Sequence, residues 1–171
     1  MRDDHGVVFD TTTIVYAYDQ TEPKKRSVCE RLLSRVYEGK LLGVVTNQIL
    51  AETFNVLTTK MGKNMPKEKA EETVNELISS SNWKKLNYTS TTVKNAISTS
   101  NRHGSPFWDT LIAETMLENG LSSIVTENEE DFKKVPGISV INPFKQKSWF
   151  GAFKGIGPMT REEELDEQSP D

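Results

Sequence analysis

Four acidic side chains stand in hydrophobic stretches of this sequence, where an ionised carboxylate is costly. Asp10 ends the run VVFD, Glu52 lies within ILAET, Asp109 follows PFW, and Asp131 lies within NEEDF. Burying one ionised carboxylate without a partner costs several kcal/mol, so four converging carboxylates need a cation to hold them together. Oxygen ligands with room for water suit Mg²⁺ or Mn²⁺ better than zinc or calcium. The sequence therefore predicts a metal site built from these four residues.

The chemistry that such a site supports is metal-assisted hydrolysis of a phosphodiester bond. A divalent ion in a carboxylate site lowers the pKa of water, polarises phosphorus and stabilises the leaving oxygen. The sequence offers no obvious separate general base. Cys29 is the single cysteine, and with His5 and His103 it cannot supply a Cys/His zinc site. Any metal is therefore expected to be held mainly by oxygen.

Each of the four acids, taken alone, also fits an ordinary structural role. Asp10 could form an Asx turn or cap a helix after a strand, and Asp109 could be the N-cap after Pro106. Glu52 could be a solvated helix carboxylate, and Asp131 could be surface charge beside other acids. Their order along the chain, together with the strands predicted before them, favours the metal site.

The elements that must position these acids alternate between strands and helices. Val7–Phe9 is a short β-rich run that stops at Asp10, and the residues from Ile14 continue as a possible helix start. Further strands are predicted at 41–46, 85–87, 123–126 and 139–141. Helices are predicted from Pro23 to Gly39, over 47–60, from Pro66, from Ser90 and over 109–119, with a short acidic turn or helix at 127–134. Strands separated by helices indicate a parallel sheet covered on both faces, with the ligand site beyond the carboxyl ends of the strands.

Length and composition favour one domain followed by a tail. The chain has 171 residues and 35% hydrophobic composition, which allows one sizeable core, so we predict a domain over 1–144 and a tail over 145–171. Net charge is −4, but residues before the tail carry 17 basic and 19 acidic side chains, which does not exclude a nucleic-acid partner. No apolar run is long enough to cross a bilayer and the N-terminus is charged, so we expect a cytoplasmic protein that does not contact a membrane.

Several aromatic residues lie outside the four acidic motifs. Phe107 and Trp108 precede Asp109, and we interpret them as core residues rather than a base-stacking platform. The tail places Trp149, Phe150, Phe153 and Ile156 among glycines before an acidic end. One hypothesis is that these aromatics dock on the domain or a partner, and the alternative is an exposed tail. Cys29 is expected to pack as a small apolar residue.

The motifs resemble those of a known family, the PIN domain, and are most similar to the VapC-type toxin ribonucleases. The resemblance is carried by VVFDTTTIVYAY, ILAE, PFWDTLIAETMLENG and IVTENEEDFKKVPGISVINPF, and it covers about residues 7–144. Its most specific part is an Asp opening a helix that ends in Asn-Gly, followed by a strand and Thr-x-Asn-x-x-Asp-Phe. The resemblance implies a three-layer α/β/α fold, with a central, mainly parallel sheet flanked by helices.

The same resemblance implies a function and a set of site residues. It matches Asp10, Glu52, Asp109 and Asp131 to the acidic quartet of the family, and it matches Thr126 and Asn128 to the polar residues that frame the quartet. It implies a magnesium- or manganese-dependent endoribonuclease, commonly a homodimer, that is inhibited by a cognate antitoxin.

The first motif departs from the usual family pattern, in which a carboxamide or a serine stands two residues after the first Asp. This chain has Asp10-Thr11-Thr12, so a hydroxyl replaces a carboxamide at Thr12. The hydroxyl still hydrogen-bonds, but with fewer groups. Thr11 and Thr12 are therefore expected to support the site as polar neighbours.

Other function classes are weighed against the ribonuclease. A haloacid-dehalogenase-like phosphatase also begins with a strand ending in Asp, but it needs a second Asp at the position of Thr12 and is rejected on that residue. A non-catalytic PIN-like scaffold that binds RNA or protein remains open, as does a structure-specific nuclease acting on DNA. The presence of all four acids favours an active enzyme.

Overall fold

The structure is a computed structural model and describes residues 6–145. The hypotheses about the aromatic and acidic tail, and His5, fall outside these residues. The described residues therefore correspond almost entirely to the predicted domain over 1–144.

A five-stranded parallel sheet forms the centre of the fold, as predicted. Its strands run in the spatial order β3-β2-β1-β4-β5, and every neighbouring pair is parallel. The strands are β1 (Val7–Phe9), β2 (Gly43–Thr46), β3 (Trp83–Leu86), β4 (Ser123–Val125) and β5 (Ser139–Ile141). The chain builds the sheet from β1 to one edge and then returns to the other side of β1. The carboxyl ends of β1 and β4 therefore flank a topological switch point, where parallel sheets open a crevice.

Seven helices connect and flank these strands in the described residues. They are α1 (Thr11–Tyr16), α2 (Pro23–Tyr37), α3 (Asn47–Thr59), α4 (Lys67–Ser79), α5 (Ser90–His103), α6 (Phe107–Glu118) and α7 (Glu129–Phe132). All residues of β1 and β2 are buried, as expected for strands of a parallel sheet between two helical layers. The three-layer α/β/α arrangement is confirmed.

Local sequence signals account for most helix ends. Pro23 lies at the first turn of α2, where its missing N–H costs nothing, and Gly39 follows the helix with a φ of +71°. Thr89 and Thr92 form a capping box at the start of α5. Gly104 ends α5 in the left-handed conformation. Other ends differ from their predicted positions; α6, for example, begins at Phe107 rather than at Asp109.

Strand β3 begins at Trp83, two residues before the predicted strand at 85–87. Trp83 is buried and packs edge-on against Phe9, with ring centroids 5.1 Å apart. A Cβ at Gly43 would lie 2.6 Å from the Trp83 ring, so glycine at this position of β2 makes room for the indole. The contact draws Trp83 into the sheet, and neither partner could be identified from the local pattern around residue 85.

The core lies on both faces of the sheet and includes Cys29, which is fully buried in α2 as predicted. The interpretation of Trp108 as a core residue is wrong: 61% of its surface is exposed, while the neighbouring Phe107 is half-buried. Trp108 lies in the first turn of α6, and the buried residues of that helix begin at Thr110. Within residues 6–145, no helix is both long and apolar enough to span a bilayer.

Candidate metal-binding carboxylate site

Asp10 lies at the carboxyl end of β1 and is only 7% exposed. It is the N-cap of α1, and its Oδ1 accepts a hydrogen bond of 2.8 Å from the backbone N–H of Thr11. Its Oδ2 accepts from the Thr126 hydroxyl at 2.7 Å and from the Thr12 hydroxyl at 3.4 Å. The helix-cap reading of Asp10 is therefore correct, and it is compatible with a metal-binding role because a capping carboxylate retains further lone pairs.

Glu52 lies on α3, which begins directly after β2. Thr46 caps this helix by accepting a 3.1 Å hydrogen bond from the N–H of Ile49. The half-buried Glu52 accepts from the Thr11 hydroxyl at Oε2 (2.9 Å) and from the amide of Gln48 at Oε1 (2.8 Å). Thr11 thus joins Asp10, through its N–H, to Glu52, through its hydroxyl.

Asp109 lies in the first turn of α6, as predicted, but it does not cap the helix. The N-cap residue is Pro106, and no side chain makes a capping hydrogen bond there. The Oδ2 atom of Asp109 instead accepts a 3.2 Å hydrogen bond from the side-chain amide of Asn128. The alternative reading of Asp109 as an N-cap is therefore wrong, and its carboxylate turns toward the loop after β4.

Asp131 lies in α7 and is half-buried, with its Oδ1 3.0 Å from Nζ of Lys134. In the loop before α7, the N–H of Asn128 donates to the Thr126 hydroxyl at 3.0 Å. Asp10, Thr126, Asn128 and Asp109 therefore form one continuous hydrogen-bonded chain across the ends of β1 and β4.

The electrostatics show that the four carboxylates influence one another. Burial, followed by the charges of Asp10, Asp131 and Glu52, raises the pKa of Asp109 to about 6. Burial also raises the pKa of Asp10, an effect that hydrogen bonds from Thr126 and Thr11 oppose and the Glu52 charge reinforces. The hydrogen bond from Lys134 lowers the pKa of Asp131. Mutual repulsion of this kind favours a bound cation.

The side chains do not form a closed metal cage. No group of three or more Asp, Glu, His or Cys side chains within residues 6–145 is arranged to hold an ion as it stands. Charge coupling acts over longer distances than coordination, so the two observations are compatible. Mg²⁺ keeps several waters and usually takes one or two carboxylates plus phosphate oxygens, rather than a dedicated protein cage. The donor set consists of oxygen atoms only, and the pKa values of Asp10 and Asp109 are raised, which fits such an ion.

The supporting residues predicted from sequence all contact the acids. Thr11 and Asn128 each link two parts of the site, Thr126 bonds the most buried carboxylate, and the exposed Thr12 makes only the long contact to Asp10. Gln48 was missed. It also donates to the backbone oxygen of Trp108 at 3.1 Å, so it ties α3 to the start of α6. The available signal was its position four residues before Glu52, which places both side chains on one face of a helix.

The amino-acid sequence that forms this fold and site matches a protein-family model. The model of the PIN domain covers residues 7–138, which include all four acids. The chain belongs to the PIN domain family. A comparison with curated proteins gives no match.

Solved structures of toxin proteins share this PIN fold. A toxin–antitoxin complex from Klebsiella pneumoniae is 15% identical, with a TM-score of 0.57, and covers 82% of this chain and 100% of its own. A VapC toxin from Mycobacterium tuberculosis, described as cleaving the sarcin-ricin loop, is 17% identical, with a TM-score of 0.59 and coverage of 75% and 93%. A VapBC complex from Rickettsia felis, bound to promoter DNA, is 18% identical, with a TM-score of 0.57 and coverage of 80% and 97%. At these identities the likeness shows the fold.

Proposed function

We propose that this PIN-domain protein is a divalent-metal-dependent endoribonuclease that hydrolyses RNA phosphodiester bonds, and that it acts as the toxin of a toxin–antitoxin pair. The observation that carries the proposal is the electrostatic coupling of the four carboxylates at the switch point of the sheet. Burial and the charges of the other three acids together raise the pKa of Asp109 to about 6, so the ionised carboxylate is unfavourable there and a cation would stabilise it. Perturbed pKa values of this kind cluster at functional sites.

In this proposal Asp10, Glu52, Asp109 and Asp131 hold Mg²⁺ or Mn²⁺. A divalent ion supplies Lewis-acid polarisation of the phosphodiester and neutralises charge on the leaving oxygen. The protein's own part is to fix the carboxylates in place. Thr126 and the N–H of Thr11 orient the two oxygens of Asp10.

The remaining acids are oriented in the same way. The Thr11 hydroxyl and the Gln48 amide hold the two oxygens of Glu52, and Asn128 holds Asp109. Lys134 keeps Asp131 ionised, because its hydrogen bond lowers the pKa of that carboxyl. The four carboxylates would thus already be positioned for a metal ion and the phosphate that it binds, which reduces the reorganisation needed in the transition state.

Two partners follow from the toxin proposal. Structures of similar fold are described as toxin–antitoxin complexes, and this supports an antitoxin protein as the regulator of this chain. A homodimer is proposed as the assembled form. Co-expression with a small protein encoded beside it, followed by size-exclusion chromatography with light scattering, tests both partners.

The activity is tested by incubating structured and single-stranded RNAs with the intact chain in Mg²⁺, in Mn²⁺ and in EDTA, with DNA of matched sequence beside them. We expect metal-dependent cutting of RNA that is lost in Asp10→Asn and in Asp109→Asn. Glu130→Gln is the matched control, because Glu130 is an exposed acid next to Asp131. No cutting by the intact chain, together with no metal binding by calorimetry, would leave the non-catalytic scaffold as the better reading. Cutting of DNA alone would overturn the choice of RNA.

A further inference from the structure

A cavity opens beside the carboxylate site, and amide and aromatic side chains line most of it. Its volume is about 490 Å³, within the range of about 300–1,000 Å³ that is typical of small-ligand pockets. Glu52 forms its border with the carboxylate site, and its other polar and aromatic lining comes from Asn47, Gln48, Asn87, Tyr88 and Trp108. These residues follow the carboxyl ends of β2 and β3 or begin α6. The cavity therefore lies at the same edge of the sheet as the four acids.

Hydrogen bonds tie this cavity to the carboxylate site. The Gln48 amide nitrogen donates both to Oε1 of Glu52, at 2.8 Å, and to the backbone oxygen of Trp108, at 3.1 Å. Trp108 directly precedes Asp109 in the first turn of α6. A ligand in the cavity would therefore lie against one proposed metal ligand, Glu52, and beside Trp108, the sequence neighbour of another, Asp109.

Two aromatic side chains of the cavity are exposed without an evident structural need. Trp108 is 61% exposed and Tyr88 is 37% exposed, whereas Trp83 is buried in the core. The ring of Phe107 contacts Trp108 edge-on, with centroids 5.3 Å apart. This contact supports the indole from one side while most of its surface remains open. Exposed aromatic rings beside a phosphodiester site offer stacking surfaces for bases.

Apart from Glu52 at the border, the charged or amide side chains that line the cavity are all amides. The Oε1 atom of Gln48 is buried and has no hydrogen-bond partner in the part of the chain that the structure describes. Its orientation is fixed, because a flipped amide would place this oxygen against Glu52 Oε1 and Trp108 O. Asn87 uses its Oδ1 to accept from the N–H of Tyr88, so its NH₂ group can face a ligand. Amides of this kind hydrogen-bond the edges of bases, and a lining with a carboxylate and no cationic side chain does not suit a phosphate.

We propose that this cavity binds one unpaired nucleobase of single-stranded RNA, at the nucleotide adjacent to the phosphate that is cut. Trp108 and Tyr88 supply the stacking surfaces, Asn47 and Asn87 contact the edge of the base and set the base preference, and Gln48 holds Glu52 and the backbone of Trp108 in position. This inference rests on the proposed function, and it makes the substrate single-stranded, because a paired and stacked base cannot enter such a cavity.

The test measures binding and cleavage separately. Binding of short fluorescent RNAs is measured by anisotropy in EDTA, where no cutting occurs, for the intact chain and for Trp108→Leu and Tyr88→Leu. Stacking of one base predicts that each variant binds about 5- to 150-fold more weakly. Trp108→Phe should recover part of the loss, because it restores a ring. Phe54→Leu is the matched control, since Phe54 is also 37% exposed on α3 but does not line the cavity.

A cycle with altered RNA assigns the loss to one base. Abasic nucleotides are placed one at a time on either side of the cutting site. One abasic position should weaken binding to the intact chain as much as Trp108→Leu does, and should have little further effect in that variant. Cutting of a randomised RNA pool in Mg²⁺ should show a base preference at this position that Trp108→Leu reduces.

The outcomes separate this inference from the proposed function. If the intact chain cuts RNA while both leucine variants keep its Kd and base preference, the base-binding cavity is wrong and the ribonuclease stands. If the intact chain neither binds nor cuts RNA, the proposed function is wrong as well. If the variants lose binding to a protein partner but not to RNA, the cavity is a protein-docking site. Thermal unfolding of each variant excludes a general loss of folding.

Discussion

Two polar clusters lie at the carboxyl edge of the sheet, and they shift the pKa of a carboxyl group in opposite directions. In the Lys25 cluster, which consists of Lys25, Tyr16, Glu127 and Phe144, Nζ of Lys25 lies 2.6 Å from Glu127 and 3.1 Å from the Tyr16 hydroxyl. The same Nζ lies over the rings of Tyr16 and Phe144, 4.6 and 5.3 Å from their centroids. In the carboxylate site, hydroxyl, amide and backbone N–H donors hold three of the four acids.

The pKa directions follow from this difference. Burial tends to raise the pKa of Glu127, but hydrogen bonds from Lys25 and Tyr16 outweigh it, and the pKa is lowered. At Asp109, burial and the charges of the other three acids outweigh the hydrogen bond from Asn128, and the pKa is raised to about 6. A carboxylate that is neutralised by its own chain serves the fold, while a group of carboxylates left with net charge is suited to bind a cation.

The largest expected effect comes from the same substitution made in each cluster. Glu52→Gln should lower RNA cleavage about 100-fold or more, because it removes charge from the proposed metal site. Glu127→Gln should leave cleavage within about twofold when it is measured well below the melting temperature, although Glu127 stands between two residues of the site. Cleavage rates at saturating Mg²⁺ are the measurement. Equal losses in the two variants would show that the clusters are not functionally distinct.

Removal of a neutral donor from the carboxylate site should destabilise the fold. Thr126→Val keeps the shape of a fully buried side chain but deletes two hydrogen bonds, the 2.7 Å bond to Asp10 and the 3.0 Å bond from the N–H of Asn128. Hydrogen bonds to charged groups contribute about 1.5–3 kcal/mol, so the free energy of unfolding should fall by about that amount. Urea denaturation measures it. Thr126→Ser, which keeps the hydroxyl, should lose much less, and an equal loss in both variants would assign the effect to packing.

Removal of charge from the carboxylate site should instead stabilise the fold when no metal is present. The raised pKa means that folded Asp109 binds its proton more tightly than the unfolded chain does, so stability falls as pH rises from about 4 through about 6. Asp109→Asn avoids this loss. In EDTA at pH 7.5 the variant should be more stable by about 1–2 kcal/mol, after allowance for solvent screening, and near pH 4 the difference should vanish.

Bound metal should make the intact chain more stable than Asp109→Asn, which reverses the order expected in EDTA. Added Mg²⁺ should raise the melting temperature of the intact chain more than that of Asp109→Asn, because a ligand that binds the folded state stabilises it. Differential scanning calorimetry with and without Mg²⁺ provides the measurement. If Asp109→Asn were less stable than the intact chain in EDTA at pH 7.5, the raised pKa of Asp109 in the folded state would be contradicted.

The smallest effect is expected for the ion pair of the Lys25 cluster. Lys25 and Glu127 are partly exposed, so a double-mutant cycle with Lys25→Met and Glu127→Gln should give a coupling energy of about 0.5–1 kcal/mol. The coupling should weaken in high salt. A coupling near zero would mean that the rings of Tyr16 and Phe144, rather than the charges, hold this corner of the fold.

Sequence patterns predicted the α/β class, the five parallel strands and most helix ends, because these depend on short-range periodicity and on residues such as Pro23, Gly39 and Gly120. They were less successful where a distant side chain decides the outcome. Trp83 extends β3 because Phe9 and Gly43 receive its ring, and Trp108 is exposed because other residues of α6 fill the core. Phe9 and Gly43 are both far from Trp83 in the sequence, so no local pattern around that residue carries the information.

The segment Thr126–Asp131 shows the same division within six residues. The sequence by itself determined that an acidic run follows a strand, which places several carboxylates at the carboxyl edge of a parallel sheet. The tertiary structure decided their roles: Glu127 pairs with Lys25, about a hundred residues earlier, while Asn128 contacts Asp109. The physical reason is that the sign of a pKa shift depends on which charges and donors surround a carboxylate, and folding alone brings those groups together.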